Sequence, residues 1–155
     1  MSFRGRYEYS LDAKGRLSFP VKYRDEIAGK FGSELVITTA LDGCLDCFPM
    51  AEWVKVEEKI NALPSSRREI KKFKRFYISG AVEISLDKQG RILVPPTLRT
   101  WAGLNGDCKS VVLAGQISRV EIWSAERWAQ EEQETIADEA KESIQDALEE
   151  YGLIL

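Results

Sequence analysis

The sequence predicts an α+β protein in which two tandem β units are joined by helices and followed by a C-terminal helix. Two observations support this fold class. The segment 10–17, SLDAKGRL, returns as the segment 85–92, SLDKQGRI, at an offset of 75 residues. Short segments with alternating apolar residues, typical of β-strands, are also interleaved with longer segments whose apolar residues recur at helical spacing.

The repeat extends well beyond this segment. At the offset of 75 residues and without a gap, many residues of the first half meet the identical residue in the second half, among them Gly5, Glu8, Ser10, Leu11, Asp12, Gly15, Arg16, Pro20, Arg24 and Trp53. Unrelated sequence would give about three identities over such a span. The chain is therefore a tandem duplication.

The repeated segment predicts a strand, a tight turn and a second strand. Apolar residues alternate on both sides of the polar stretch 12–15. Gly15 suits a backbone with positive φ, and the Asp12 side chain is expected to accept hydrogen bonds from amides of the turn. Arg16 is expected to face Asp12 across the hairpin and keep further donors free. A turn with one surface ion pair, worth under about 1 kcal/mol, would explain a single copy of this motif.

The second copy favours an anion-binding surface. Asp87, Gly90 and Arg91 repeat the turn. Each copy is followed at the same spacing by a proline and a second arginine, Arg24 or Arg99. Because a turn alone needs no arginine eight residues further on, we expect guanidinium groups of both halves on one extended surface.

The remaining elements of the first unit are a short helix and two strands. Residues 21–28 predict the helix, which ends at Gly29 and Gly32. Residues 35–39 are mostly β-branched and predict a buried strand, and residues 44–48 predict the strand that returns beside it.

Two helices are predicted between the units. Residues 49–63 form the first, which Pro64 ends. Ser66 and Glu69 match a capping box, so the second is expected at 67–77. Its apolar face is surrounded by six basic residues: Arg67, Arg68, Lys71, Lys72, Lys74 and Arg75. This cluster suits a solvated helix flank, a DNA path or a contact between subunits.

The second unit repeats the order of elements. Strands are predicted at 81–86, 91–94, 110–114 and 120–123, with the short helix at 98–103. A long amphipathic helix follows Ser124, with an apolar stripe and densely acidic other faces, and is expected to pack on its own chain or on a neighbouring subunit. The predicted domains are repeat 1 at 7–54, a basic helical connector at 55–79, repeat 2 at 82–128 and the acidic helix at 129–155.

The two turns differ in charge. Lys14 and Lys22 of the first half correspond to Gln89 and Thr97 of the second, while Lys88 adds a base to the second turn. The first half is therefore expected to contact phosphates better.

Charge is distributed unevenly along the 155 residues. The net charge is −3, but segment 124–155 holds ten acids and two bases, net −8, which leaves +5 for residues 1–123. Within that body, residues 1–24 carry +4 and residues 64–79 carry +5. Local potential decides whether a polyanion is attracted, so a nucleic-acid partner is compatible with the acidic total.

The composition also limits the other classes of protein. No apolar segment is long enough for a membrane span and the N-terminus lacks a signal region, so we expect a soluble protein that is not exported. Cys44, Cys47 and Cys108 are an odd number of cysteines, which suits a reducing compartment. With no histidine and no third cysteine nearby, Cys44 and Cys47 are expected to be ordinary strand and turn residues, with no metal and no cofactor. No nucleophile has a recognisable partner, so an enzyme is the weakest hypothesis.

These motifs resemble the bacterial MraZ family over nearly the full length. The resemblance is carried by the opening FRGRYE at 3–8, by LDAKGRL at 11–17 and by DKQGRI at 87–92. MraZ proteins contain two AbrB-like (SpoVT-AbrB) units, each with a D-x-x-x-R signature, here Asp12 to Arg16 and Asp87 to Arg91.

The resemblance implies a swapped-hairpin-type, pseudo-symmetric β barrel made by both halves. It also implies ring-shaped homo-oligomers that bind direct repeats in double-stranded promoter DNA of the division and cell-wall gene cluster, usually as a repressor. The expected location is the cytoplasm, at the nucleoid.

Arg16 and Arg91, at the turns, are the principal candidates for DNA contact. They are expected to bind phosphates and, for some arginines, guanine O6 and N7, together with further basic residues: Arg4, Arg6, Lys14, Lys22, Arg24, Lys88 and Arg99. An alternative is an oligomeric interaction module whose basic face binds an acidic protein partner, as some relatives of the AbrB group do.

Overall fold

The computed structural model describes residues 2–27, 33–106 and 109–155. The chain divides into two compact units, Met1–Ser124 and Ala125–Leu155. Parts of the sequence predictions lie outside the described residues: the helix end at Ala28, the glycines Gly29 and Gly32, and Cys108.

The described part of the first unit contains eight β-strands and four α-helices. The strands are β1 (Arg6–Leu11), β2 (Arg16–Ser18), β3 (Glu34–Thr39), β4 (Leu45–Pro49), β5 (Val82–Ser85), β6 (Arg91–Leu93), β7 (Lys109–Gly115) and β8 (Val120–Ser124). The helices are α1 (Val21–Ile27), α2 (Met50–Asn61), α3 (Arg68–Tyr77) and α4 (Pro96–Trp101). The second unit consists of α5 (Ala125–Ile136) and α6 (Asp138–Glu150).

The strands of the two repeats are exchanged. Six strands form an antiparallel sheet in the order β1-β7-β8-β4-β3-β5, and β2 pairs with β6 in a separate two-stranded ribbon. Thus β1 of the first repeat pairs with β7 of the second, and β5 of the second pairs with β3 of the first. Because β1 also lies beside β2 and β5 beside β6, the ribbon connects the two edges of the sheet. The α+β class and its two tandem AbrB-like units are confirmed.

A pseudo-two-fold axis relates the repeats. In the ribbon, Leu17 lies directly opposite Ile92, its equivalent in the second repeat. In the sheet, Asp46 of β4 lies directly opposite Glu121 of β8, which again is its equivalent. The axis therefore passes through the ribbon and through the centre of the sheet.

The predicted strand, turn and strand are present in both repeats. The prediction that the two strands of each repeat pair with each other as a hairpin is wrong. A backbone hydrogen bond from Asp12 N–H to the Arg16 carbonyl, 3.0 Å long, closes the first turn. The arms then separate, because β1 belongs to the sheet and β2 to the ribbon. Each arm finds its hydrogen-bonding partner in the other repeat, which makes the two halves depend on each other.

Two apolar clusters hold the first unit together. The larger cluster takes buried residues from both repeats, including Leu17 and Ile92 of the ribbon and Leu45 and Ile122 of the sheet. The smaller cluster packs α2 and α3 against β3 and β4 through five buried residues: Val36, Phe48, Trp53, Ile60 and Tyr77. Burying aromatic and aliphatic side chains of this size contributes about 1.5–3 kcal/mol each.

Two helix predictions need correction. The N-cap of α3 is Arg67, and no side chain caps this terminus, so the capping box expected from Ser66 is absent there. The single C-terminal helix is two helices, separated at Ala137, whose φ of −59° and ψ of 141° are extended. Among the described residues, no helix has the length and apolar character needed to cross a bilayer.

Candidate nucleic-acid interface

The first turn is organised by the Asp12 carboxylate. Its Oδ1 accepts hydrogen bonds from the backbone N–H groups of Lys14, at 2.9 Å, and Arg16, at 2.8 Å. Its Oδ2 accepts one from Arg16 Nε at 2.6 Å. Gly15 adopts a φ of +84°, which explains the glycine at this position. The carboxylate thus fixes both the backbone of the turn and the direction of the arginine.

The second turn has the same geometry. Asp87 Oδ1 accepts from the backbone N–H groups of Gln89, at 2.8 Å, and Arg91, at 2.9 Å, and Oδ2 accepts from Arg91 Nε at 2.9 Å. Gly90 adopts a φ of +75°. The sequence repeat is therefore a repeat of atomic contacts.

These contacts keep both carboxyl groups ionised. The pKa of Asp12 is lowered, and the largest cause is the backbone hydrogen bond from Arg16. The Arg16 side chain and the Lys14 amide lower it further, whereas desolvation raises it. Asp87 has its pKa lowered in the same way, first by the backbone hydrogen bond from Arg91. A charged carboxylate holds each guanidinium through Nε and leaves the two terminal nitrogens of that group available to an external anion.

The ribbon presents both arginines on its outer face. Leu17 and Ile92 point inward and are 0% and 1% exposed. Side chains alternate along a strand, so Arg16 and Arg91 point outward. In the register of the ribbon Arg16 lies opposite Leu93, which is two residues from Arg91. The two arginines are therefore diagonal neighbours, whose Cα atoms are roughly 7–8 Å apart. Their side chains are 36% and 28% exposed.

Arg24 and Arg99 cover the turn of the opposite repeat. A Cβ added to Gly90 would lie 2.5 Å from Arg24 Cδ, and one added to Gly15 would lie 2.9 Å from Arg99 Cζ. The Nε atoms of Arg24 and Arg99 are buried, with no hydrogen-bond partner among the described residues. Each helix arginine thus packs flat on a glycine of the other half.

Backbone hydrogen bonds reinforce this exchange. Phe19 N–H donates to the Gly90 carbonyl at 3.0 Å, and Val94 N–H donates to the Gly15 carbonyl at 2.8 Å. Neither turn can move without shifting a strand and an arginine of the other repeat. The two turns therefore form one structural element.

The other predicted contact residues lie in three places. Lys14 and Lys88 are exposed on the turns that flank the ribbon. Arg4 and Lys22 instead line a groove of about 330 Å³ that also contains Asp25 and Glu26, so its charge is mixed. Arg6 lies at the start of β1, at the opposite end of that strand from the turn.

The sequence predictions missed two residues of the ribbon surface. Ser18 and Leu93 share the outer face with the arginines, and Leu93 is 56% exposed. The alternation around Leu17 and Ile92 is the signal that could have found them, because it assigns their neighbours to the opposite face.

A second basic surface lies on α3. A groove of about 380 Å³ is lined by two serines and four basic residues: Ser65, Ser66, Arg68, Lys71, Lys72 and Arg75. We call these basic residues, together with Arg67 and Lys74, the α3 basic cluster. The predicted cluster is thus present, in a groove separate from the ribbon.

A buried polar cluster lies at the pseudo-two-fold axis in the sheet. Ligand atoms of Cys44, Asp46 and Glu121 lie within 4.8 Å of one another. Asp46 accepts from Arg119 Nε at 3.1 Å and from the Tyr77 hydroxyl at 2.7 Å, and Glu121 accepts from Arg119 at 3.3 Å. Burial is the main cause that raises the pKa of Cys44. A cation here would compete with the Arg119 guanidinium, so the expectation of no metal stays a prediction.

Comparison with known proteins identifies the family. The family model described as "MraZ protein, putative antitoxin-like" matches residues 2–76 and again residues 77–150. The chain belongs to the MraZ family. The two matches divide the chain into the same two repeats that the strand exchange interlocks.

Relatives in this family match along nearly the whole chain. The transcriptional regulator MraZ of Pediococcus pentosaceus is 44% identical over 151 residues, covering 97% of this chain and 99% of the relative. That of Syntrophomonas wolfei is 41% identical with the same coverage. That of Heliobacterium modesticaldum is 48% identical over 127 residues, or 82% of this chain and 84% of the relative.

Proposed function

We propose that this MraZ-family chain is a sequence-specific DNA-binding transcriptional regulator that acts as a repressor of the division and cell-wall gene cluster. It binds direct repeats in double-stranded promoter DNA as a ring-shaped homo-oligomer, in the cytoplasm at the nucleoid. The single observation that carries the proposal is the outer face of the ribbon, where Arg16 and Arg91 are held side by side by two equivalent carboxylates.

The ribbon surface has the properties that DNA recognition requires. A two-stranded β-ribbon fits the major groove, where a guanidinium can bind guanine O6 and N7 in a bidentate manner. Arg16 and Arg91 already have Nε fixed, so less side-chain entropy is lost when the terminal nitrogens bind. Lys14 and Lys88 lie at the two ends of the ribbon, where phosphates of the groove walls would pass.

Arg24 and Arg99 have a different role in this proposal. Because their Nε atoms are buried against the opposite glycines, they hold the turns in place and offer only their outer nitrogens to phosphate. The mixed charge around Arg4 and Lys22 makes these two residues weaker candidates for DNA contact. Arg6 lies at the far end of β1 and is likewise a weaker candidate for DNA contact than the ribbon arginines.

The names of the relatives support regulation of transcription as the purpose of binding. Relatives at 41–48% identity are named transcriptional regulator MraZ. The identity of the gene cluster, the repression and the ring rest on the resemblance to the family. One chain offers a small recognition surface, so a ring that repeats the ribbon would match a series of direct repeats through multivalent binding.

The proposal is tested by DNA binding of the double variant Arg16→Ala/Arg91→Ala. Fluorescence anisotropy with duplex DNA from upstream of the chain's own gene should show a loss of affinity of about 100-fold, since each such contact is worth about 1–3 kcal/mol. The slope of log affinity against log salt should become shallower by about 0.9 for each lost phosphate contact. Light scattering should show an unchanged assembly mass.

The matched control is Lys55→Ala/Lys59→Ala, which removes the same charge from exposed positions of α2. We expect this variant to change affinity less than about threefold. Equal losses in both variants would mean that only net charge matters, and unchanged binding by the arginine variant would refute the ribbon as the site.

A protein-binding module is the second candidate function. The observation that favours it is the family description itself, which includes the words "antitoxin-like". In that case an acidic protein partner would occupy the ribbon and would compete with DNA for it. A pull-down with wild-type protein and the Arg16→Ala/Arg91→Ala variant would find a partner that only the wild type retains.

A further inference from the structure

The outer face of the ribbon carries two side chains from each strand. Arg16 and Ser18 come from β2, and Arg91 and Leu93 come from β6. The pseudo-two-fold axis of the ribbon exchanges Arg16 with Arg91 and Ser18 with Leu93. The first pair is identical, whereas the second pair sets a hydroxyl group against an apolar side chain. The face is therefore symmetric in charge and asymmetric in polarity.

The turns at the two ends of the ribbon match this symmetry of charge. Each turn carries one exposed lysine, Lys14 beside Ala13 in the first and Lys88 beside Gln89 in the second. Contacts from these lysines to phosphates would carry no sequence information. A difference in base recognition between the two sides of the ribbon must therefore come from the side chains that lie between the turns.

Leu93 is the apolar side chain on this face. It is 56% exposed and lies directly opposite Arg16. Directly opposite residues have Cβ atoms about 4.5–5.5 Å apart, and successive bases of a DNA strand are about 3.4 Å apart. Leu93 would therefore meet a base one or two steps from the base that Arg16 contacts. In the major groove an apolar side chain can recognise the C5 methyl group of thymine.

Ser18 occupies the equivalent place on the other side, directly opposite Arg91. Its hydroxyl group can donate or accept a hydrogen bond and has no preference for a methyl group. With two equal arginines alone, the ribbon would bind a site equally well in either direction. Direct repeats all run the same way, so each ribbon needs a feature that selects one direction.

We propose that Leu93 and Ser18 determine the direction in which the ribbon binds DNA, with Leu93 contacting a thymine methyl group beside the base pair that Arg16 reads. This inference rests on the DNA-binding function proposed above and names two further specificity-determining residues of the same surface. It assigns the apolar contact to the side of Arg16 and a hydrogen-bonding contact to the side of Arg91.

Replacing thymine by deoxyuridine in the promoter duplex tests the methyl contact with the unaltered protein. Deoxyuridine keeps the base-pairing groups of thymine and lacks the C5 methyl group. Each thymine position of the repeat is replaced in turn, and the affinity is measured by fluorescence anisotropy. We expect one position at which the replacement lowers the affinity about fourfold for each repeat, the effect of burying one apolar carbon. A series in which no position changes the affinity would overturn the inference.

The variant Leu93→Ser makes the two sides of the ribbon alike and should abolish the difference between thymine and deoxyuridine. Because the lost contact is apolar, the slope of log affinity against log salt should keep its wild-type value. Leu41→Ser is the matched control, since Leu41 is 74% exposed in the turn between β3 and β4, and it should respond to deoxyuridine like the wild type.

Two results with Leu93→Ser would contradict the inference. One is a deoxyuridine effect of wild-type size. The other is a lower assembly mass in light scattering, which would place Leu93 in a contact between copies.

The exchange variant Ser18→Leu/Leu93→Ser tests direction. It should regain sensitivity at the same thymine, because the two arginines are equivalent and the ribbon can bind after half a turn about its pseudo-two-fold axis. A benzophenone-bearing residue at Gln89, in the second turn, reports this rotation on a duplex with a single repeat. Its adduct should lie on one flank of the repeat in the otherwise wild-type protein and on the other flank in the exchange variant. Adducts on the same flank in both proteins would refute the role in direction.

A failure of the proposed function gives a different result. If the wild type does not bind the duplex, or if Arg16→Ala/Arg91→Ala binds it equally well, the ribbon is not the DNA surface and this inference falls with it. If the duplex is bound through the two arginines but deoxyuridine has no effect, only the role of Leu93 and Ser18 fails.

Discussion

The two halves of the chain are alike at their turns and different in their helical hairpins. At the turns, the carboxylate-to-Nε distances are 2.6 Å for Asp12 with Arg16 and 2.9 Å for Asp87 with Arg91. The glycine of each turn is covered by an arginine of the other half. Since each turn supplies one arginine to the same ribbon face, a change in either copy would disturb a shared surface.

The helical hairpins that follow each pair of strands are not under this constraint. Trp53 and Trp128 are equivalent, but Ile60 corresponds to Thr135, and Tyr77, which is 7% exposed, corresponds to Gly152. The first hairpin thus has apolar anchors and a basic α3, whereas the second lacks these two anchors and is acidic. The duplicated turns have thus kept the same contacts, while the helices that follow them have diverged in burial and charge.

The largest difference between the two halves is expected in the loss of stability when their equivalent tryptophans are replaced by alanine. Trp53 is 4% exposed and packs against Phe48 and Tyr77, so Trp53→Ala should destabilise the fold by about 3–5 kcal/mol. Trp128 is only half-buried, so Trp128→Ala should cost clearly less. Urea denaturation of both variants measures the difference. Equal costs would show that the two hairpins are anchored alike.

The next largest loss of stability is expected where an arginine of one half covers the turn glycine of the other half. Gly90→Ala should destabilise by about 1–3 kcal/mol, because the new Cβ strains a positive φ and meets Arg24. Arg24→Ala should relieve part of this cost, whereas Arg99→Ala should not. A double-mutant cycle from denaturation midpoints gives both coupling energies. Coupling of Gly90 to Arg99 instead would contradict the exchange between halves.

The smallest effect is a pH dependence shared by both turns. The pKa values of Asp12 and Asp87 are lowered from the ordinary 3.8, so the ionised forms stabilise the fold fully above that pH. This contribution disappears as the pH falls below 3.8 through the folded-state pKa. In the Asp12→Asn/Asp87→Asn variant the free energy of unfolding should therefore depend less steeply on pH at the acid end. Urea denaturation between pH 2 and pH 6 measures this dependence. A limb as steep as in the wild type would mean that other carboxylates dominate.

Much of the fold could be predicted because local patterns determine its elements. The sequence repeat predicted the positions of both turns. The alternation around Leu17 and Ile92 predicted the ribbon strands. The exchange of strands was expected only from the resemblance to the family, because the alternating pattern of Tyr7 and Tyr9 is the same whichever strand pairs with β1. The break at Ala137 also has no local signal, since alanine favours helix.

The candidate site was predicted less completely than the fold. Arg16 and Arg91 lie on one outer face, as the repeat suggested. The burial of Nε in Arg24 and Arg99 depends on glycines that come from the other repeat, and no spacing along the chain shows that contact. For the same reason the sequence did not separate Arg4 and Lys22 from the ribbon, because only the folded chain places Asp25 and Glu26 beside them.

The most direct test of the ribbon as the DNA surface is site-specific photo-crosslinking. A benzophenone-bearing residue is introduced at Leu93, on the outer face beside Arg16, or at Ser66, in the groove of the α3 basic cluster. Each protein is irradiated with labelled promoter duplex. Our account predicts a protein–DNA adduct from position 93 and none from position 66. Adducts from position 66 alone would contradict it.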